Sequence, residues 1–481
     1  MYIYSSDEIK KADTLAEERG MPVFTLMENA GRSLFEALTC KIKKEETILI
    51  LAGKGNNGGD GIVLARYLKQ NGYQAELSFP LGIPNTGGPA EQHLRYFEEC
   101  GYLSVPFHKE TNGDVIVDAL IGAGASLPLR NDAEEMVQWA NSQKAVRIAV
   151  DIPTGVEADQ GTCDKAFHAD YTFCLHGYKP SAFLIPSGRF YGKTEVLDIG
   201  MPQNGRFRLW TEDDVIETMP KFSSSAHKGT FGTGYLIAGS DEMPGSVLMA
   251  AKAALRSGVG KLIVGTSKYA AGILAGQVPE TTFLFEGLQK AANKEWPKKI
   301  AAVGMGPGLQ NKSMIQEALA HLLESEFPLV LDADALDERS YPKREQPVIL
   351  TPHPGEFNRM TGFKVKDIQA NRIRYASEYA MKHEVIVVLK GEHTVIAYPD
   401  GTGVVNKTGN SALGKGGSGD TLTGMLTAFL CNHKNSMHAA ANAVFLHGFT
   451  SDEWVKERGM RTMTATDISD LLPKVMKRFE K

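Results

Sequence analysis

Near the C-terminus the run Gly414-Lys-Gly-Gly-Ser-Gly-Asp420 opens the apolar stretch TLTGMLTAFL. Phosphoryl transfer asks little covalent help of a protein; it needs donors for the transferring oxygens and a carboxylate for the attacking hydroxyl. Glycines that let the backbone approach, at a helix start whose first N–H groups lack internal partners, supply the donors. Asp420 supplies the carboxylate. A plain first-turn helix aspartate is the competing explanation, and so much glycine beside it argues for chemistry instead. Three further runs carry compatible groups. In Thr351-Pro-His-Pro-Gly-Glu-Phe357 two prolines stiffen a turn that presents His353 and Glu356 together. Lys390-Gly-Glu-His-Thr394 offers a nucleotide a cation, a close-approach glycine and a hydroxyl. Asp332 and Asp334 in VLDADAL, two apart at a strand end, suit magnesium or ribose unless one only caps the next helix. Lys228 and the glycines of Gly304-Met-Gly-Pro-Gly308 fit either a ligand or an ordinary turn.

A second glycine loop, Gly53-Lys-Gly-Asn-Asn-Gly-Gly-Asp60-Gly61, joins TILILA to GIVLARYLKQNG, and strand, turn and helix start make an anion site. Gly53, Gly55 and Gly58 satisfy the dinucleotide GxGxxG, a weak pattern alone, and Glu76 is only a loose fit for its ribose carboxylate. Asn56, Asn57 and Asp60 bring more hydrogen-bonding heads than a pyrophosphate needs, which points to hydroxyls, a carboxamide or an ion. Asp118 and Asp151 end the runs VIVDA and IAVD. Ligands collect at the carboxyl ends of parallel strands, so these loops are expected to meet Asn57 at one crevice. A turn carboxylate is the competing account of Asp118.

Positioning these groups requires two sheets. Apolar runs alternate with helical patterns from Thr47 to about Gly200, then again from Gly234 (GYLIAGS, GKLIVGT, KIAAVGMGPG, PLVLDADAL, PVILTPHPGEF, VIVVLKG, HTVIAYP). That rhythm predicts an α/β class of two domains, each a mainly parallel sheet between helix layers. The polar stretch at 205–225 marks the division, giving domains at 1–210 and 226–481 with a connection at 211–225. A length of 481 residues, 42% hydrophobic and 23% charged, fits such a globular pair. A net charge of -5 argues against nucleic acid as a partner, and five cysteines without CxxC spacing argue against a zinc site or disulfide framework. Neither a signal-type leader nor a membrane-length apolar run is present, so a cytoplasmic location is expected.

MENAG, GKGNNGGDG, DALIGAG and DIPTG together resemble the NAD(P)H-hydrate epimerase family over about the first 200 residues. The resemblance implies a Rossmann-like three-layer αβα sandwich whose substrate touches Asn56, Asn57, Gly58, Gly59, Asp60, Gly122, Ala123, Gly124, Ala125, Ser126, Leu127, Pro128 and Asp151. It also implies a potassium ion on Asn57, Asp118 and Thr154, the last standing where the family usually has serine. Asp151 is then the expected proton-transfer group. HKGTFG, MGPG, LDADAL, TPHPGEF, KGEHT and GNSALGKGGSGDTLTG resemble the ADP-dependent NAD(P)H-hydrate dehydratases of the ribokinase-like superfamily, from about residue 220 to the end. This implies a ribokinase-like αβα domain that binds hydrated cofactor through Gly308, His353 and Asp420. The nucleotide is expected on Lys390, Gly391, Glu392, His393 and Thr394, and on Asn410, Ser411, Ala412, Leu413, Gly414, Lys415, Gly416, Gly417, Ser418 and Gly419. ADP as phosphoryl donor, magnesium, NADHX and NADPHX as substrates and a homo-oligomer follow from the same resemblance. The residues alone leave open a vitamin or sugar kinase, a non-catalytic binding module in the first half, or a hydride-transfer enzyme.

Overall fold

The computed structural model describes every residue except Ala125, Ser126, Asp164 and Lys481. The chain forms two compact units, Met1–Arg208 with Gln369–Asn371, and Leu209–Ile368 with Arg372–Lys481.

The N-terminal unit contains a six-stranded sheet: β1 (Thr47–Ala52), β2 (Gln74–Ser78), β3 (Val115–Ala119), β4 (Val146–Val150), β5 (Tyr171–Leu175) and β6 (Lys193–Leu197). Every pairing is parallel and the order is β2-β1-β3-β4-β5-β6. Side chains alternate across a strand, and β1 obeys this in full. Ile48, Ile50 and Ala52 enter a core shared with helix α2 (Val23–Thr39), which follows α1 (Ser6–Glu18), and with α3 (Asn56–Gln70). Leu49 and Leu51 enter the opposite core, shared with α4 (Asn131–Ser142). Burial on both faces makes the strands continuous apolar runs and gives the three-layer sandwich. The chain order reverses between β1 and β3, which leaves a crevice beyond their carboxyl ends.

In the C-terminal unit the strands are β7 (Thr233–Ile237), β8 (Lys261–Thr266), β9 (Thr282–Phe285), β10 (Ala302–Met305), β11 (Leu329–Leu331), β12 (Val348–Leu350), β13 (Ile386–Leu389), β14 (Thr394–Ala397) and β15 (Gly403–Asn406). Their order is β15-β14-β13-β12-β11-β10-β7-β8-β9. Pairing is parallel from β9 to β13, and β13-β14-β15 run antiparallel. Helix α5 (Pro244–Arg256) covers β7 and β8 through Val247, Ala250 and Ala254. Later in the chain come α6 (Pro354–Thr361), α7 (Ser418–Asn432) and α8 (Ser436–Glu457). The expected connection at 211–225 begins with a helix, Glu212–Thr218, closed by a Thr211–Asp214 capping box. Val215 of this helix is fully buried in the C-terminal core, and the preceding Trp210 donates its indole N–H to Asn442 at 2.9 Å. Among the described residues no helix is long and apolar enough to cross a membrane.

Candidate functional site

In the N-terminal unit a cavity of about 630 Å³ lies at the carboxyl ends of β1, β3, β4 and β5. Asn56, Asn57 and Asp60 from the start of α3 line it, with Gly122, Ala123 and Gly124 after β3 and Asp151 after β4. The expected crevice therefore exists. Gly55 caps α3 without any side-chain bond, so the first helical N–H groups are left without a side-chain acceptor. Gly58 and Gly59 do not line the cavity. A Cβ on Gly58 would stand 2.0 Å from the Gly53 carbonyl oxygen, and one on Gly59 2.3 Å from the Met27 sulfur, so both serve close packing. Leu127 and Pro128 are not among the lining residues. Ala125 and Ser126 lie outside the described residues.

Asp118 and Thr154 are fully buried partners. The Thr154 hydroxyl donates to Asp118 Oδ1 at 2.7 Å and its backbone N–H to Oδ2 at 2.8 Å, while the Leu120 N–H reaches Oδ1 at 3.1 Å. Burial nevertheless pushes the Asp118 carboxyl up to about 6, against the pull of these donors. Among the described residues the Asn57 side-chain nitrogen is buried without a partner. Asp60 is 8% exposed, and burial first, then the Asp151 and Asp13 carboxylates, push it well above the usual carboxylate range. Asp151 has φ 65, a left-handed backbone rare outside glycine and asparagine-like residues. Its Oδ1 accepts from the Leu175 N–H at 3.0 Å and from the ammonium of Lys179. Lys179 was not among the sequence candidates; the one signal for it was a lysine placed inside the largely apolar run HGYKPSAFLIP. His176, also left-handed at φ 64, lines the same cavity and stacks on Tyr4 with ring centroids 4.6 Å apart.

In the C-terminal unit α7 starts at Gly417, whose φ of 90 and lack of a capping side chain leave the N–H groups at the glycine loop open. Asp420 sits in this first turn, and burial lifts its carboxyl to about 6, opposed by a hydrogen bond from Ser246 and helped by Asp332. A Cβ at Gly414 or Gly416 would meet nothing within 4 Å, so the loop faces open space there. The loop's side chains are otherwise committed to holding it. The Lys415 ammonium donates to the carbonyls of Arg461 at 2.5 Å and Met463 at 2.7 Å, and the Ser418 hydroxyl to the Leu413 carbonyl at 2.6 Å. The Asn410 amide donates to Asp452 at 2.9 Å, and Ala412 is buried.

Lys390 is likewise tied. It donates to Asp332 Oδ1 at 2.8 Å and pairs with Glu356 at 3.8 Å. Asp332, 2% exposed, also accepts from the hydroxyls of Thr351 at 2.7 Å and Thr423 at 2.9 Å. The spacing that placed Asp332 and Asp334 on one strand face does not hold, because β11 ends at Leu331 and Ala333 turns left-handed at φ 49. Gly391 is required by close approach, since a Cβ there would lie 2.3 Å from the Arg372 guanidinium buried beneath it. Glu392, His393 and Thr394 complete this turn, where burial drives the His393 imidazole down to about 4. His353 caps α6: its Nδ1 accepts from the N–H groups of Gly355 at 2.9 Å and Glu356 at 3.3 Å, while Glu356 accepts from the His353 N–H at 2.8 Å. With Nδ1 an acceptor, the proton of the neutral ring sits on Nε2. The turn thus presents His353 and Glu356 together as its prolines suggest. Gly308, at φ 66, abuts Ser246, where a Cβ would stand 2.8 Å from the serine Cβ. Ser246 and Asp332 act on Asp420 although neither GKGGSGD nor its flanks announce them.

Residues 235–474 match the family described as NAD(P)H-hydrate dehydratase, and residues 23–181 the family described as YjeF-related protein N-terminus. The ADP-dependent (S)-NAD(P)H-hydrate dehydratase of Bacillus subtilis (strain 168) is 49% identical over 272 residues, 56% of this chain and 99% of that protein. The bifunctional NAD(P)H-hydrate repair enzyme Nnr of Moorella thermoacetica is 33% identical over 516 residues, covering 100% of this chain and 97% of the other. Among solved structures, the ADP/ATP-dependent NAD(P)H-hydrate dehydratase of Bacillus subtilis co-crystallised with ATP/Mg2+ superposes with TM-score 0.56 at 49% identity, over 57% of this chain and 99% of that one. A ribokinase-like superfamily protein of Enterococcus faecalis superposes with TM-score 0.50 at 26% identity, over 58% and 98%.

Proposed function

Because the chain belongs to the family of bifunctional NAD(P)H-hydrate repair enzymes, we propose that each half of the sequence performs one step of a single repair, with the division beside Arg208 rather than within 211–225. The N-terminal, Rossmann-like unit interconverts the R and S epimers of hydrated NADH and NADPH. The C-terminal, ribokinase-like unit dehydrates the S epimer with ADP, releasing AMP and phosphate. The observation that carries the dehydratase assignment is Asp420, half-buried in the first turn of an open helix start, where Ser246 hydrogen-bonds it and its carboxyl is lifted to about 6.

Asp420 takes the proton of the ring hydroxyl as that oxygen attacks the terminal phosphoryl of ADP, and AMP departs. The first N–H groups of α7 face the charge that develops on the transferring oxygens. The ring nitrogen's lone pair then expels phosphate, and loss of a proton from the adjacent carbon restores the double bond. His353 offers its Nε2 proton to the cofactor, and Gly308 keeps its backbone close against Ser246, the residue that hydrogen-bonds Asp420. In the first unit the hydroxyl beside the ring nitrogen leaves and returns on the other face, with Asp151 exchanging its proton and opposing the cationic ring between the two events.

Potassium would sit on oxygens: Asp118 is a wholly buried carboxylate beside the Thr154 hydroxyl, and Asn57 would serve the ion through its carbonyl oxygen, because its unpartnered amide nitrogen is a donor. Bound by Asn57, Asp118 and Thr154, the ion would neutralise that carboxylate. For magnesium, no group of three or more His, Cys, Asp and Glu side chains that could hold a metal exists among the described residues. The nucleotide's own phosphate oxygens and water suit that ion better than a protein cage. Its chemistry would be charge neutralisation on the phosphates. A homo-oligomeric, cytoplasmic enzyme completes the proposal, and sedimentation velocity tests its assembly.

The deciding experiment supplies hydrated NADH as mixed epimers with ADP and follows recovery of the dihydronicotinamide absorbance. Complete recovery is expected. Recovery that halts when the S epimer is spent refutes the epimerase, and accumulation of a stable phosphorylated cofactor refutes the dehydratase.

A further inference from the structure

The cavity of the N-terminal unit contains a cation that neither the glycine loop nor the strand-end carboxylates call for. Lys179 is 2% exposed. An ammonium has three donors, and all three of these are used, on Asp151 Oδ1, on the Leu175 carbonyl at 3.1 Å and on the Gly177 carbonyl at 3.3 Å. No N–H is left for a ligand, so Lys179 acts on a ligand only through the groups it holds, and Asp151 is the one among its three hydrogen-bond partners that can exchange a proton. The aspartate needs such a hold. Its left-handed backbone is a conformation that persists only where the surroundings over-determine it. Its Oδ1 is fixed from two sides, by Lys179 and by the Leu175 N–H. Among the described residues Oδ2 has no such partner and is left for a ligand. Three carboxylates face this ammonium, Asp151 from the end of β4, Asp60 from α3 and Asp13 from α1, and Lys179 is the cation that opposes the crowding of the last two. His176 and Tyr191 are the other titratable neighbours of the group.

We propose that Lys179 is the positioning residue of the epimerase site, clamping Asp151 Oδ1 so that Oδ2 points at the exchanging hydroxyl. The inference rests on the epimerase assignment of this unit and deepens it. A clamp of this kind acts on turnover rather than affinity, because the lysine itself does not meet the cofactor. Small misplacements of a reacting group are expensive: about 1 Å is worth on the order of a hundredfold in rate.

The test uses the full-length chain and purified single epimers of hydrated NADH, with epimer exchange followed by chromatography. Lys179→Met should lower kcat about a hundredfold with KM changed by less than about threefold. Lys179→Arg should recover at least about a tenth of the wild-type rate, and adding Lys179→Met to Asp151→Asn should cost nothing more, since both act through one carboxylate. Should the methionine variant fail to unfold cooperatively, Lys179→Gln replaces it; glutamine keeps N–H donors for the two carbonyls and removes the charge. A folded variant that exchanges epimers at the wild-type rate overturns the proposal, as does full additivity with Asp151→Asn. Failure of the epimerase assignment looks different: the unmutated chain would then exchange epimers no faster than buffer.

Discussion

The two units each carry a strand, a glycine-rich turn and an uncapped helix start, and the two loops look alike on paper. Their glycines are weighted differently between packing and open space, although a Cβ on Gly55 of the first loop would meet nothing within 4 Å and one on Gly417 of the second would stand 2.4 Å from the Met249 sulfur. In the N-terminal loop Gly53, Gly58 and Gly59 are demanded by protein packing, with virtual Cβ atoms 1.8, 2.0 and 2.3 Å from neighbouring atoms. In the C-terminal loop Gly414 and Gly416 meet nothing, while Lys415 and Ser418 hold the loop's shape from behind. The carboxylates differ in the same sense. Asp420 belongs to the helix that its own loop opens, whereas Asp151 arrives from a separate strand and is held by a lysine 28 residues further on. A glycine motif therefore marks a close approach without saying whether a ligand or the protein makes it.

The largest effects should separate the two carboxylates. Asp420→Asn is expected to lower dehydration of the S epimer by about a thousandfold, as for loss of a general base, while epimer exchange stays within about twofold. Asp151→Asn should do the converse, slowing exchange by about a hundredfold and sparing dehydration of pure S epimer. If either variant impaired both steps, the two sites could not be treated as independent. The glycines come next. Gly416→Ala should leave stability unchanged within about 0.5 kcal/mol and raise the KM for ADP about tenfold, since the added methyl enters space kept for phosphate. Gly58→Ala should instead destabilise the N-terminal unit by about 1–3 kcal/mol in denaturant unfolding, because backbone must move. The reverse pattern would exchange the roles assigned to the two loops.

Most of the fold was legible because strands buried on both faces read as apolar runs; β1, β3, β4 and β5 fall within TILILAG, DVIVDALIG, AVRIAVDIP and YTFCLHG. The edge strand β9 was missed because Thr282–Phe285 is half-exposed and its apolar run, Phe283-Leu284-Phe285, is only three residues long. The segment 211–225 was read as a connection from its polarity, which hid a capped helix with a single fully buried valine. Within the sites, the residues borne by motifs could be seen, and those that serve them could not. Lys390 meets Asp332 across 58 positions and Thr423 meets Asp332 across 91, separations at which local pattern carries no information. Lysines in glycine loops read as phosphate ligands, and only the folded chain shows Lys390 and Lys415 already occupied.

A cation dependence should distinguish the sites more weakly. Replacing potassium by choline is expected to slow epimer exchange about tenfold, the scale on which metal-site support is felt, and to leave dehydration within about twofold. Asp118→Asn should remove that dependence. Equal sensitivity of both reactions would place the ion's effect elsewhere, for instance on the nucleotide.

The finest distinction lies in pH. An ordinary aspartate titrates near about 4, but burial and the nearby Asp332 lift Asp420 to about 6. A base must be ionised to accept a proton, so dehydratase turnover should fall as pH drops through about 6, with a slope of one proton. The effect on folding has the opposite direction. A carboxyl whose folded value lies above its unfolded one holds its proton more tightly when folded; its contribution to stability is complete below about 4 and is lost as pH rises through about 6. The enzyme is thus expected to lose activity over the same window in which this group makes it more stable, and Asp420→Asn should abolish that stability trend. An acidic limb near 4 would mean that Asp420 titrates like a solvated aspartate, and the burial assigned to it at this helix start would be wrong.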